Sequence, residues 1–199
     1  MLRLNGFSIV LSLAILSAGL ATPASAGAGQ RSQNQIFEME FLASMIDHHA
    51  IAVQMAQLCR SRATHAELLQ MCSDIAKNQS MEIQQMQTWL GDWYDMQGAP
   101  HQVEHDEADM TTLAGLSGAA FEKAFMEQMA PHHMVALQQA AECLVRASHG
   151  ELVGMCQDMA DSQAAEIKTL RTWLCRWYSV CSMHFRRSAV TGRPEPLSN

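Results

Sequence analysis

Two pairs of adjacent histidines, His48–His49 in "MIDHHAIAVQM" and His132–His133 in "MAPHHMVALQQ", are the residues best equipped for chemistry in this chain. Met45 and Met55 flank the first pair, and Met129 precedes the second. Further on, "QSMEIQQM" carries Gln79, Glu82 and Met86 at i, i+3 and i+7, one face of one helix. "QAAEIKTL" repeats the amide and the carboxylate as Gln163 and Glu166. Imidazole suits copper, zinc, nickel and iron, whereas thioether sulfur is soft and neutral and selects Cu(I) or Ag(I) over magnesium, calcium or manganese. Thioethers also remain available where thiols are consumed as disulfides. Lone histidines and methionines at helical spacing are ordinarily core residues; two ionisable groups repeated in register are costly to bury unless used.

The elements that must position these residues come from a duplication. Residues 41–96 and 125–180 align without a gap at an offset of 84, with about 25 of the 56 aligned positions identical. In each unit apolar residues recur at three- and four-residue steps in two runs, which reads as two helices. The short segment between them, "ATHAE" in the first unit, carries Thr64 and Glu67 at capping-box spacing, repeated as Ser148 and Glu151. So short a loop forces each helix pair antiparallel. Four helices are expected, at about 34–62, 66–96, 118–146 and 150–185. The class is all-α: a four-helix bundle of two antiparallel hairpins packed about a pseudo-twofold axis.

If the first turn centres near Thr64–Ala66, residues face each other across it when their numbers add to about 131. Cys59 and Cys72 satisfy this, and Cys143 and Cys156 are their equivalents, so two disulfides are expected. A Cys/His metal site is the alternative. By the same register Met45 lies opposite Met86, His49 opposite Glu82, and Ala52 opposite Gln79. Imidazole, carboxylate, amide and thioether thus share one height, although the register does not say whether His48 or His49 points at Glu82. In the second unit Gln139 replaces the counterpart of Met55 and Leu170 that of Met86, with Met129 and Met134 as compensating thioethers. That predicts a weaker or harder-ligand second site, or one site shared between the units.

The N-terminus "MLRLNGFSIVLSLAILSAGLATPASA" has one basic residue, a short apolar core and a small-residue end at Ala24-Ser25-Ala26, the layout of a cleaved signal peptide over 1–26. Its apolar part falls short of the roughly 20 residues that cross a bilayer, and no second stretch is long enough. The expected domain is then 27–185, with a linker at 97–117 and a polar tail at 186–199. Export places the six cysteines in an oxidising compartment, periplasmic or extracellular. A net charge of -7 argues against nucleic acid and favours cations.

"FLASMIDHHAIAVQMA" followed by "IAKNQSMEIQQMQTWL" resembles the signature of the domain of unknown function 305 family. The resemblance covers both units and implies a ferritin-like helical fold in exported proteins, some tied to copper or silver binding, with CopM-like periplasmic copper-binding proteins as the nearest functional analogy. Carried over by residue, it marks His48, His49, Met55, Gln79, Glu82 and Met86, then His132, His133, Gln163 and Glu166.

Pro131 precedes the second histidine pair, which predicts a kink there or a helix that begins again. His101, His105, Asp106 and Met110 lie in the connection, as a solvated loop or as further ligands. Cys175 and Cys181 can pair only if the last helix ends near Ser179, because six residues of helix rise about 9 Å. His65 and His149 fall in the turns with no special role expected, and Trp89, Trp93, Trp173 and Trp177 read as core or bundle-end packing. The leading function is non-enzymatic: copper bound as Cu(I), with Ag(I) as its surrogate and zinc or iron less suited, for buffering, trafficking or tolerance. Metal ions are the expected partners; a metallochaperone or a second copy of the chain is left open. A ferritin-like di-metal oxidoreductase is the alternative, yet its Glu-x-x-His motif occurs nowhere in the chain. A metal-free structural or adaptor bundle is the third reading.

Overall fold

Both repeats wind into long helices whose apolar faces meet in pairs. The computed structural model describes residues 24–100 and 110–181, with side chains from 33 onward. Helix α1 runs Ala24–Arg62, α2 Ala66–Tyr94, α3 Gly118–Arg146 and α4 Gly150–Tyr178, with a short helical turn at 110–114 before α3. No helix is long and apolar enough to cross a membrane among the described residues. Residues 1–23 of the expected signal peptide, His101, His105 and Asp106, and the tail from 182 lie outside the described residues.

Two boundaries differ from expectation, and the restart allowed for at Pro131 does not occur. Helix α1 starts about ten residues early, at Ala24, running through Gly27 and Gly29, because extending an existing helix carries no new nucleation cost. Helix α3 continues unbroken through Pro131, so the restart reading is wrong. Helix α4 stops at Tyr178 rather than 185: Ser179 turns left-handed at φ 59°, and the Val180 N–H donates back to the Leu174 carbonyl at 3.1 Å. That stop brings the Cys175 and Cys181 Cα atoms within 4.2 Å and closes a third disulfide.

The Cys59–Cys72 and Cys143–Cys156 disulfides are both present, each stapling one hairpin near its turn. In the chain-entropy picture each is worth about 3 kcal/mol. Urea denaturation of Cys59→Ala/Cys72→Ala should show that loss. Removing the second pair should add a similar amount, because the two staples sit in opposite cores.

The closest packings are α1 on α2, α3 on α4, and α1 on α3. One core joins Met55, Cys59, Leu68 and Ile75 to Phe121, Phe125, Met129 and Leu174; the other joins Phe41, Met45, Met86 and Leu90 to Ala136, Ala140, Leu152 and Met159. The C-terminal half of α1 therefore meets the N-terminal half of α3, and the reverse. The two helices run antiparallel and cross where their histidine pairs lie.

The expected capping boxes do not form: His65 and His149 occupy the N-cap positions without side-chain capping bonds. The hairpins cap each other instead. Glu122 of α3, fully buried, accepts from the backbone N–H groups of Thr64 and His65, from the Thr64 hydroxyl, and from Tyr178 of α4. Glu38 of α1 does the same for Ser148, His149 and Tyr94. Each carboxylate also meets a histidine Nδ1, at 2.8 Å for His149. Trp177 stacks on His65 and Trp93 on His149, both with ring centroids 3.9 Å apart. The turn histidines thus do have a role, against expectation: a buried anion at a helix N-terminus replaces the local box and locks the hairpins together. The tryptophans pack at the bundle ends as expected.

Candidate metal centre

Across the first turn His49 and Glu82 meet as their register predicts. His49 Nε2 lies 2.8 Å from Glu82 Oε2, and in the second hairpin His133 Nε2 lies 2.7 Å from Glu166 Oε2, a close contact not aligned as a hydrogen bond. His49 and His133, both with no exposure, are therefore the histidines that face the carboxylates. One helical step away, His48 and His132 turn toward the partner hairpin and meet with ring centroids 3.7 Å apart. Centroids of 6.1 Å link His48 to His49 and His132 to His133, so the four rings form one row through the crossing of α1 and α3.

The His48 Nε2–H donates to the His132 carbonyl at 3.2 Å, which leaves the lone pair on Nδ1. The Nδ1 atoms of all four histidines are buried and have no hydrogen-bond partner, and neither does Nε2 of His132. Burial, reinforced by His49 and His133, depresses the His48 pKa to about 3. Burial, with His48, His133 and His49, takes His132 well below its ordinary value. Both rings are neutral at pH 7, the state that binds metal.

Two cavities adjoin the row. One, of ≈ 350 Å³ between α1 and α3, is lined by Met55, Met110, Gln128, Pro131 and His132 among others, and the Gln128 Oε1 is buried without a partner. The other, of ≈ 220 Å³ between α2 and α4, is lined by Gln79, Glu82, Gln163 and Glu166 with Asn78 and Asp158. Met45, Met86 and Met129 are fully buried within the apolar cores. The expected donors thus divide: imidazoles in the middle, the Met55 thioether opening between α1 and α3 beside Glu127 and Gln128, and the Gln79, Glu82, Gln163 and Glu166 oxygens between α2 and α4. Among the described residues no three His, Cys, Asp or Glu side chains form a preformed cage.

Helical pairing across one turn could place His49, because local register fixes it. The meeting of His48 with His132 depends on how the hairpins cross. From sequence, Met110 stood in the connection as solvated loop or further ligand, and Gln128 was missed; no periodic signal marks either. The lining is also unsymmetrical, since Gln139 stands where the first unit has Met55, and its buried Oε1 has no partner.

The family profile described as Domain of unknown function (DUF305) matches residues 38–174. Among solved structures, CopM in its Cu(II)-bound form is 31% identical with a TM-score of 0.65, covering 71% of this chain and 97% of CopM. CopM co-crystallised with silver is 29% identical, TM-score 0.63, over 71% and 97%. A DUF305 protein of Streptomyces coelicolor, described as secreted, is 25% identical, TM-score 0.63, over 70% and 91%. No curated protein sequence matches.

Proposed function

The chain belongs to the DUF305 family, and from that premise we propose that it is an exported protein that binds Cu(I) and Ag(I) without catalysing a reaction. One observation carries the reading: four imidazole Nδ1 atoms are sealed in the bundle with no hydrogen-bond partner. A buried polar atom left unpaired costs about 1–3 kcal/mol, so four in one row suit a group that accepts their lone pairs. His48 and His132, with the Met55 and Met110 thioethers of the adjoining cavity, would hold the ion. The His49–Glu82 and His133–Glu166 contacts act as braces that fix ring orientation. Two nitrogens and two sulfurs favour a soft monovalent ion. Disulfides in both hairpins accord with export to an oxidising compartment. The copper- and silver-bound forms of CopM support the same choice of metals.

Calorimetric titration with Ag(I), and with Cu(I) under anaerobic conditions, tests this. His48→Ala/His132→Ala and Met55→Leu/Met110→Leu should each weaken binding at least tenfold, about 1.4 kcal/mol. Wild-type affinity in both variants would overturn the assignment.

A further inference from the structure

The cavity between α2 and α4 has a different chemistry. No sulfur belongs to the residues that line it; its polar wall is the carboxylates of Glu82, Asp158 and Glu166, the amides of Asn78, Gln79 and Gln163, and the Ser162 hydroxyl. Glu82 and Glu166 are about one-fifth exposed and each already has one oxygen on its histidine. Gln79 and Gln163 are only 4% and 2% exposed, yet the Oε1 of each is buried without a hydrogen-bond partner. The same orphaned acceptor therefore occurs twice, related by the repeat, in one acidic cavity.

Acceptors of this kind need donors, and the carboxylates around them need positive charge. A hydrated hard cation supplies both, because every water on it points its hydrogens outward. A cavity of ≈ 220 Å³ has room for an ion with much of its shell, each water taking up about 30 Å³. Small hard ions give up that shell reluctantly and bind to few carboxylates, so a three-carboxylate or histidine cage is not required. We infer that this cavity is a second cation site, for a hydrated divalent ion of the magnesium–manganese class, held through its waters by Gln79, Gln163, Glu82 and Glu166. It is separate from the thioether cavity in position and in metal class, and does not depend on the coinage-metal reading.

Mn(II) is the probe. Titrating the disulfide-intact chain while following the free Mn(II) electron paramagnetic resonance signal should show one ion bound weakly, with a dissociation constant of about 10⁻⁴ to 10⁻³ M, as for the weaker calcium–oxygen sites of extracellular modules. Bound Mn(II) should enhance water-proton relaxation, and Mg(II) should displace it. Gln79→Leu/Gln163→Leu should weaken binding at least tenfold. Asp158→Asn, an exposed change that leaves the core intact, should weaken it severalfold if the double variant fails to fold. Mn(II) that stays free in the wild-type chain, or that binds the variants equally well, would overturn the site.

Discussion

Glu122→Ala lowers the unfolding free energy by about 3–5 kcal/mol, the cost of breaking a buried charged network. The loss is large because one side chain serves two elements. Without it the Thr64 and His65 N–H groups at the start of α2, and the Tyr178 hydroxyl on α4, lose the one buried acceptor that ties them to α3. Glu38→Ala should cost a similar amount at the opposite end. Total stabilities of about 5–15 kcal/mol make either change severe, and the double change should not fold. Urea denaturation monitored by circular dichroism gives the number; a loss below about 1 kcal/mol would show that local capping suffices.

The same network sets acid behaviour. Burial would raise the carboxyl pKa of Glu38 and Glu122, but hydrogen bonds from the tyrosine, the two backbone amides and the histidine outweigh it and hold each at about 2. In the unfolded chain these groups titrate near 4.5. Their stabilisation is therefore complete above pH 4.5 and is lost as pH falls from there toward 2.

Silver binding should hold nearly constant from pH 7 to pH 5, changing less than about threefold, whereas a solvent-exposed histidine site loses up to tenfold per ligand per unit below its pKa near 6.5. The cause is burial of the His48 and His132 rings, which keeps protons off them: His48 titrates at about 3 and His132 is also well depressed. Stability of the apo protein carries the opposite cost. Between pH 6.5 and 3 the unfolded chain takes up protons that the folded chain refuses, so stability falls with pH, by at most about 1.4 kcal/mol per unit for each ring. This begins two units above the loss at Glu38 and Glu122, so between pH 6.5 and 4.5 the histidine phase stands alone, and below 4.5 the two overlap. His48→Leu/His132→Leu should flatten the phase between pH 6.5 and 4.5. Wild-type silver affinity that falls steeply below pH 6.5 would contradict the burial argument.

Much of the architecture was legible because it is local. The 84-residue repeat, the two-helix units and the short turns follow from spacing alone, and so do the Cys59–Cys72 and Cys143–Cys156 pairs and the His49–Glu82 contact. Each is a matter of register across one bend. The end of α4 was conditionally legible, since the Cys175–Cys181 disulfide requires the helix to stop. The Thr64/Glu67 and Ser148/Glu151 boxes misled because a buried carboxylate from the other hairpin outcompetes the local one for the same N–H groups.

The amino-acid order by itself therefore determined the helices, their pairing within each hairpin and the inventory of nitrogen, sulfur and oxygen donors. Only the packing of hairpin on hairpin decided that His48 meets His132, that Glu38 and Glu122 cap turns more than fifty residues away, and that Met55 opens into a different cavity from Glu82 and Glu166. Helical periodicity tells which face is apolar and how far along the chain a residue sits. It carries no information on the angle and register at which two such faces cross, which depends on how side chains from both interlock.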